Sequence, residues 1–290
     1  MTPLLTVDPH RCTGCGLCVR ICPQGIPVPG PGRLPQADPE RADRCIRCGH
    51  CAAVCREGAL THRNLAPEAF AEAGAAPAAA QVMRWLRRRR SVRAYQPRPV
   101  SRACLEALLE AARGAPTGHN ARQLGCVAVV TPPRREALRD AVVGVYRRLF
   151  AVAGSCWGLT ALGVVLGRDR ARELQEARPG LLRAQERLRR GEDPLFHGAP
   201  AVLLFHAPSW ETAEADAVAA AAQVTLFAPS LGLGTCYIGY ASAVLRRFPR
   251  MARRWGVPRG HRVYAVLTVG FPSAEPLRVP PRPAVPLRLV

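Results

Sequence analysis

The chain runs to 290 residues, 48% of them hydrophobic, long enough for one small and one mid-sized domain with a core. All 41 of its Lys-plus-Arg positions are arginine, which excludes a Schiff-base lysine and a P-loop lysine. The formal charge of +20, set among abundant Ala, Pro and Gly, reads as compositional bias and makes nucleic acid an unlikely partner, because no helix-turn-helix, zinc-finger or RNA-binding motif accompanies it.

The N-terminal part is dominated by cysteine. Eight of the 12 cysteines fall in two runs of one spacing, Cys12-x2-Cys15-x2-Cys18-x3-Cys22-Pro23 and Cys45-x2-Cys48-x2-Cys51-x3-Cys55-Arg56. A cubane iron–sulfur cluster needs four soft thiolates around one small volume. A tight C-x2-C-x2-C loop supplies three, and the fourth comes from the other run. The spacing therefore predicts two [4Fe–4S] clusters, one on Cys12, Cys15, Cys18 and Cys55 and one on Cys45, Cys48, Cys51 and Cys22. Structural zinc uses two Cys-x2-Cys pairs and does not require the third and fourth cysteines of each run. A disulfide framework would need export, and residues 1–11 hold no apolar export segment, so a cytoplasmic setting is expected. Over residues 1–65 the pattern resembles a bacterial 2[4Fe–4S] ferredoxin, with Arg56 where a proline commonly follows the last cysteine. The negative charge of the clusters would leave a positive surplus suited to an acidic redox partner. Cys104, Cys126, Cys156 and Cys236, scattered in apolar surroundings, read as structural thiols.

Residues 66–84 read as a linker rich in Ala, Pro, Glu and Gly, with a helix beginning near Gln81 and entering the arginine run 87–90. A second helix is predicted from an N-cap at Ser101 to a stop at Gly114, with Leu105, Leu108, Leu109 and Ala112 on one face. A strand at Leu124–Thr131 and a helix at Pro133–Phe150 follow. Then come an amphipathic Arg/Glu-rich helix at 168–190, a strand near Ala201–His206, an apolar helix near 212–228 and a strand near Arg262–Gly270. Residues 276–286 form an extended Pro-rich tail. Two uncharged stretches, Phe150–Gly167 and Ala217–Leu245, have the length of a membrane span. Glycines, Pro229, Ser155 and Thr160 interrupt them, so no span is predicted. Few strands among many helices argue for an α+β domain over residues 85–290.

Three short motifs carry the chemistry of this second domain: Arg89-Arg90-Ser91-Val92-Arg93 with Tyr95 and Pro97; Ala115-Pro116-Thr117-Gly118-His119-Asn120; and Leu231 through Tyr240, containing Gly232, Gly234 and Gly239. In this order they resemble the nitroreductase family of FMN enzymes over about residues 85–285, and Val269-Gly270-Phe271-Pro272 leading to Arg282-Pro283 also matches. The resemblance implies an FMN-binding α+β fold and a homodimer with flavin at the subunit interface. It assigns Arg89, Arg90, Ser91, Arg93 and Arg282 to the phosphate and ribityl chain. Pro116, Thr117, Gly118 and Asn120 are assigned to the loop beside the flavin, and Ile238 and Gly239 to its reactive edge. Arg122 stands where the family often has glutamine, and Gly239 where some members have an acidic residue. His119 and Tyr240 are proton-donor candidates by motif position, beside a purely structural role for each; no catalytic triad is present.

The reading is an electron chain. An external donor (ferredoxin, flavodoxin or NAD(P)H) reduces the two clusters, which pass electrons to FMN and on to a small organic acceptor such as a nitro compound or quinone. The alternatives are a redox sensor or electron-distribution module without its own substrate, and a dehalogenating or flavin-fragmenting enzyme on the same fold.

Overall fold

The structure, a computed structural model, describes residues 3–153 and 168–290. Cys156 and most of the uncharged stretch Phe150–Gly167 lie outside the described residues. The chain divides into two compact units, one of residues 1–77 with 119–122, the other of residues 78–118 with 123–290.

The first unit repeats itself. Strand β1 (Leu5–Val7) is followed by a short helix α1 (Leu17–Ile21) and a hairpin of β2 (Pro27–Pro29) and β3 (Pro35–Ala37); α2 (His50–Ala53) and β4 (Leu60–His62) complete it. β1 pairs antiparallel with β4, placing Leu5 opposite His62 and tying the two ends of the cysteine-rich segment together. Each cysteine run turns into its helix through a left-handed glycine, Gly16 at φ 68° and Gly49 at φ 76°. A side chain would be strained at either place, and the tight turn is what folds three cysteines around one volume. Leu4, Leu5, Cys18, Ile26 and Leu60 form a small core of their own.

The second unit contains α3 (Ala79–Arg88), α4 (Arg102–Arg113), β5 (Gly125–Val129), α5 (Pro132–Ala153), α6 (Arg168–Arg189), β6 (Ala201–Pro208), α7 (Ala213–Phe227), β7 (Gly234–Tyr237), α8 (Gly239–Arg247), α9 (Pro249–Ala252) and β8 (His261–Gly270). Its sheet has the order β5-β6-β8-β7, with every neighbouring pair antiparallel. Both faces are covered. Leu203 and Phe205 of β6 pack with Leu108 of α4 and the alanines of α7, whereas Val202 and Leu204 pack with Leu138 and Val142 of α5 and Leu245 of α8. Two buried faces explain why β6 reads as a continuous apolar run rather than an alternating one. α4 is capped as its sequence predicts, with Ser101 Oγ accepting from Cys104 N at 3.2 Å and Gly114 at its end.

The uncharged Ala217–Leu245 stretch is helical only to Phe227, where the apolar helix expected near 212–228 ends. Pro229 lies in a 3-10 turn, Gly232 is left-handed at φ 67°, and the chain then forms β7 before α8 begins. Among the described residues, no helix is long and apolar enough to cross a membrane.

A histidine pair couples this sheet to pH. His206 on β6 is buried, its Nδ1 lies 2.9 Å from Nδ1 of His261 on β8, and only a glycine at position 125 leaves room for its ring. Burial, with the His261 charge adding to it, pushes His206 down to about 4. The unfolded chain therefore binds the proton more readily than the folded one between about pH 6.5 and pH 4. Stability should be full at neutral pH and fall through that window by a few kcal/mol, and His206→Phe should flatten the decline in urea melts taken from pH 7 to 4.

Candidate functional site

Two cavities in the first unit collect the cysteines. One of about 250 Å³ is lined by Cys12, Cys15, Cys18 and Cys55, the other, tighter, by Cys22, Cys45, Cys48 and Cys51. Each cavity thus takes three thiols from one run and the last thiol of the other. The electrostatics follow the same grouping. Burial raises the Cys18 thiol, and Cys15 and Cys55 push it the same way; burial pushes Cys51 up to about 11, reinforced by Cys48, Cys22 and Cys45. Among the described residues, no three Cys, His, Asp or Glu side chains converge tightly enough for a single metal ion. Zinc would draw its thiolates in to about 2.3 Å, whereas a cubane holds them apart on its corners, so the donor set fits clusters. Backbone N–H groups point at the sulfurs, from Ile26 to Cys22 at 3.5 Å, from Arg47 to Cys45 at 3.4 Å and from Ala59 to Cys55 at 3.2 Å. Such donors stabilise thiolate charge and tune a cluster.

In the second unit the arginine strip lies along β7. Val92 N donates to Thr235 O at 2.9 Å, and Ser91 and Thr235 form a parallel bridge. Extended backbone sends alternate side chains to opposite sides. Arg90 accordingly joins Arg88 around a shallow pocket with Val92, Thr225 and Glu275, while Arg89 acts on Tyr237, which burial pushes up to about 12 against the opposing Arg89 charge. Ser91 and Arg93 are exposed, and Arg93 with Arg187 adds to the lowering of half-buried His197, for which burial is the main cause. Tyr95 holds the strip from behind, donating to Val92 O at 2.8 Å and lying 2.8 Å from Thr268 Oγ1. Arg282 is exposed in the tail.

The loop Pro116–Gly118 is anchored by residues that sequence reasoning missed. Asp216, buried on α7, accepts from Gly118 N at 3.0 Å and from Thr212 Oγ1 at 3.1 Å. A Cβ on Gly118 would run into the Thr212 side chain, so this position requires glycine. A lone carboxylate in an Ala-rich helix gives no signal in sequence beyond that of a solvated face. His119 (φ 50°), Asn120 (φ 54°) and Arg122 (φ 51°) are all left-handed without being glycine, at a cost of about 1 kcal/mol or more each. This segment belongs to the first unit, where Asn120 Nδ2 donates to Ile46 O at 2.7 Å and Asn120 Oδ1 accepts from Arg122 Nε at 3.0 Å. His119 is exposed there.

Ile238 is buried at the start of α8, and Gly239 and Tyr240 are exposed beside it. Tyr240 packs edge-on against Tyr146, whose hydroxyl donates to Tyr240 O at 3.1 Å. Both tyrosines line a cavity of about 500 Å³ with Val142, Arg183, Leu188 and Leu195.

Residues 86–271 match the family model described as the nitroreductase family, and residues 11–60 match that of a 4Fe-4S dicluster domain. Among solved structures, a nitroreductase with bound FMN from Bacteroides fragilis is 23% identical, with 72% of this chain and 98% of that one covered and a TM-score of 0.52. A nitroreductase with bound FMN from Desulfitobacterium hafniense is 21% identical over 70% of this chain and 94% of that one, with a TM-score of 0.50. An FMN-dependent nitroreductase from Clostridium difficile is 18% identical over 72% and 99%, with a TM-score of 0.50. These likenesses show the fold of the second unit. A search of the curated proteins found no match.

Proposed function

We propose, since this chain belongs to the nitroreductase family, that it is an iron–sulfur flavoenzyme passing electrons from an external donor, by way of two [4Fe–4S] clusters and FMN, to a small organic acceptor such as a nitro compound or quinone. The observation that carries the reading is the sorting of eight cysteines into two four-thiol cavities ahead of a nitroreductase-type domain. Bound clusters carry electrons singly, and bound FMN takes them singly and gives them up in pairs.

The chain's own residues supply binding and orientation. Arg89, Ser91 and Arg93 offer charge-assisted donors for a flavin phosphate, and Arg282 on the tail is a further one. Arg90, on the opposite side of the strip, is the weakest of the proposed contacts. Pro116, Thr117 and Gly118, the last held by Asp216, would present backbone to the flavin, and Ile238 and Gly239 would lie against it. Asn120 keeps one amide N–H and one oxygen lone pair beyond its bonds to Ile46 and Arg122. Tyr240, which lines the cavity of about 500 Å³, and His119 are the candidate proton donors.

Cys15 is exposed, Arg11 and Arg56 line its cavity, and Arg20 donates to the Cys15 carbonyl at 3.2 Å. Positive charge around an exposed ligand suits an acidic ferredoxin or flavodoxin as donor. A homodimer is supported by exposed apolar side chains on neighbouring elements, Val82, Met83 and Leu86 of α3 with Phe227 of α7, and by the uncovered apolar tail from Leu277 to Val290. The setting proposed for it is the cytoplasm, where thiols stay reduced.

Anaerobically purified protein should contain about eight irons, eight sulfides and one FMN per chain, as two cubanes and one flavin require. Reduced acidic ferredoxin should then support steady turnover of a nitroaromatic compound or a quinone. Eight irons without flavin would refute the flavoenzyme reading, and zinc in place of iron would refute the cluster reading.

A further inference from the structure

Cys45 receives a side-chain contact that the cysteine spacing does not foretell. His62, at the end of β4, is 4% exposed, and its Nε2 lies 3.3 Å from Cys45 Sγ. Its other ring nitrogen, Nδ1, accepts the backbone N–H of Asn64 at 3.1 Å. A ring nitrogen that accepts carries no proton, so the imidazole is neutral and its single proton sits on Nε2, aimed at the sulfur. The β1–β4 pairing, with Leu5 across from His62, fixes the ring in this place.

The contact belongs to one half of the repeat only. Cys12 and Cys45 are 33 positions apart (45 − 12), as are Cys22 and Cys55 (55 − 22), and the same offset pairs His62 with Pro29. Proline has no hydrogen-bonding side-chain atom and no backbone N–H. Of the backbone donors, Ile26 to Cys22 in one half is matched by Ala59 to Cys55 in the other, and Arg47 to Cys45 is a further one in the second half. The first half has a side-chain contact of its own, from Thr13 to Cys15, and Cys15 is exposed, so water competes for it. Ile46, the counterpart of Thr13 at the same offset, has no donor in its side chain.

We propose that His62 is a positioning residue that sets the two clusters apart, its N–H···S bond raising the reduction potential of the cluster held by Cys45, Cys48, Cys51 and Cys22. The inference rests on the cluster reading above. Reduction adds negative charge that spreads onto the thiolates, and a buried N–H stabilises the more negative form. No bond is made or broken and the proton stays on Nε2; the effect is electrostatic. An electron on that cluster is then held more tightly than it would be without His62.

The test is a redox titration of the anaerobically purified full-length protein, with each reduced cluster followed by its EPR signal. His62→Leu should keep about eight irons and move one of the two midpoint potentials to a more negative value, leaving the other in place. His62→Gln, which retains an amide N–H, should fall between wild type and His62→Leu. Two unmoved potentials, or two that move together, would overturn the proposal. If His62→Leu loses iron, His62→Gln carries the test, and iron loss in both would show that His62 builds the site rather than tunes it, which also overturns the proposal. Wild-type protein lacking eight irons would be a failure of the cluster reading itself, and so is distinguishable.

Discussion

Cys55→Ala is expected to damage the same cluster as Cys15→Ala, although the two cysteines belong to different runs, and Cys22→Ala to damage the same cluster as Cys48→Ala. Iron should fall below about eight per chain in each case, to about four where the cluster is lost and to about seven where a three-iron cluster stays on the remaining three thiolates. The two pairs of variants should leave different clusters behind, so that the EPR spectra group as Cys15 with Cys55 and Cys22 with Cys48. That grouping follows from which thiols share a cavity. If each cluster instead used the four cysteines of one run, Cys55→Ala would match Cys48→Ala, and the crossed assignment would be wrong. Flavin content should be unchanged throughout, because the strip and loop proposed to hold it belong to the second unit, apart from segment 119–122.

The first three cysteines of each run could be grouped from sequence because they are local, whereas the fourth, from the other run, was expected from the two-cluster spacing pattern. Three ligands fall within seven residues, and a turn that needs glycine at Gly16 and Gly49 announces itself. The helix from Ser101 to Gly114 was legible for the same reason, since an N-cap, an apolar face and a terminal glycine lie within one stretch. β7 and α8 were not, because nothing in Gly234–Tyr237 alone marks a strand: it is extended because β8 lies along one side and the arginine strip along the other. Asp216 was invisible for a related reason. Its partners, Gly118 and Thr212, are set by the fold, and a single acidic residue near a helix start is ordinary. His62 makes the same point at longer range, as its place beside Cys45 depends on β1 and β4 pairing across the whole N-terminal unit. What sequence lacked in each case was a partner brought in from far along the chain.

The arginine strip gives the other large effect. A Cβ placed on Gly234 would meet Val92 Cγ2 at 2.5 Å and Val92 Cβ at 2.8 Å. Neither atom can swing away, because Val92 is β-branched and its backbone is held at both ends, its N–H by Thr235 O and its carbonyl by the Tyr95 hydroxyl. Gly234→Ala must therefore push the strip off β7, and Arg89, Ser91 and Arg93 move with it. The overpacking itself should cost about 1–3 kcal/mol of stability. Flavin affinity should fall at least tenfold, about 1.4 kcal/mol, since charge-assisted bonds to a phosphate weaken steeply when their donors are displaced. Both are measurable on one preparation, by urea melts and by FMN titration, and iron content should stay at about eight because the cysteines are untouched. Gly239→Ala supplies the contrast: no atom lies within 4 Å of a Cβ built there, so the fold should accept it without loss. A drop in flavin affinity in Gly239→Ala would then report contact with the flavin rather than damage to packing. Wild-type affinity in Gly234→Ala, with the stability loss present, would mean that the strip is a structural edge of β7 and that the phosphate is held elsewhere.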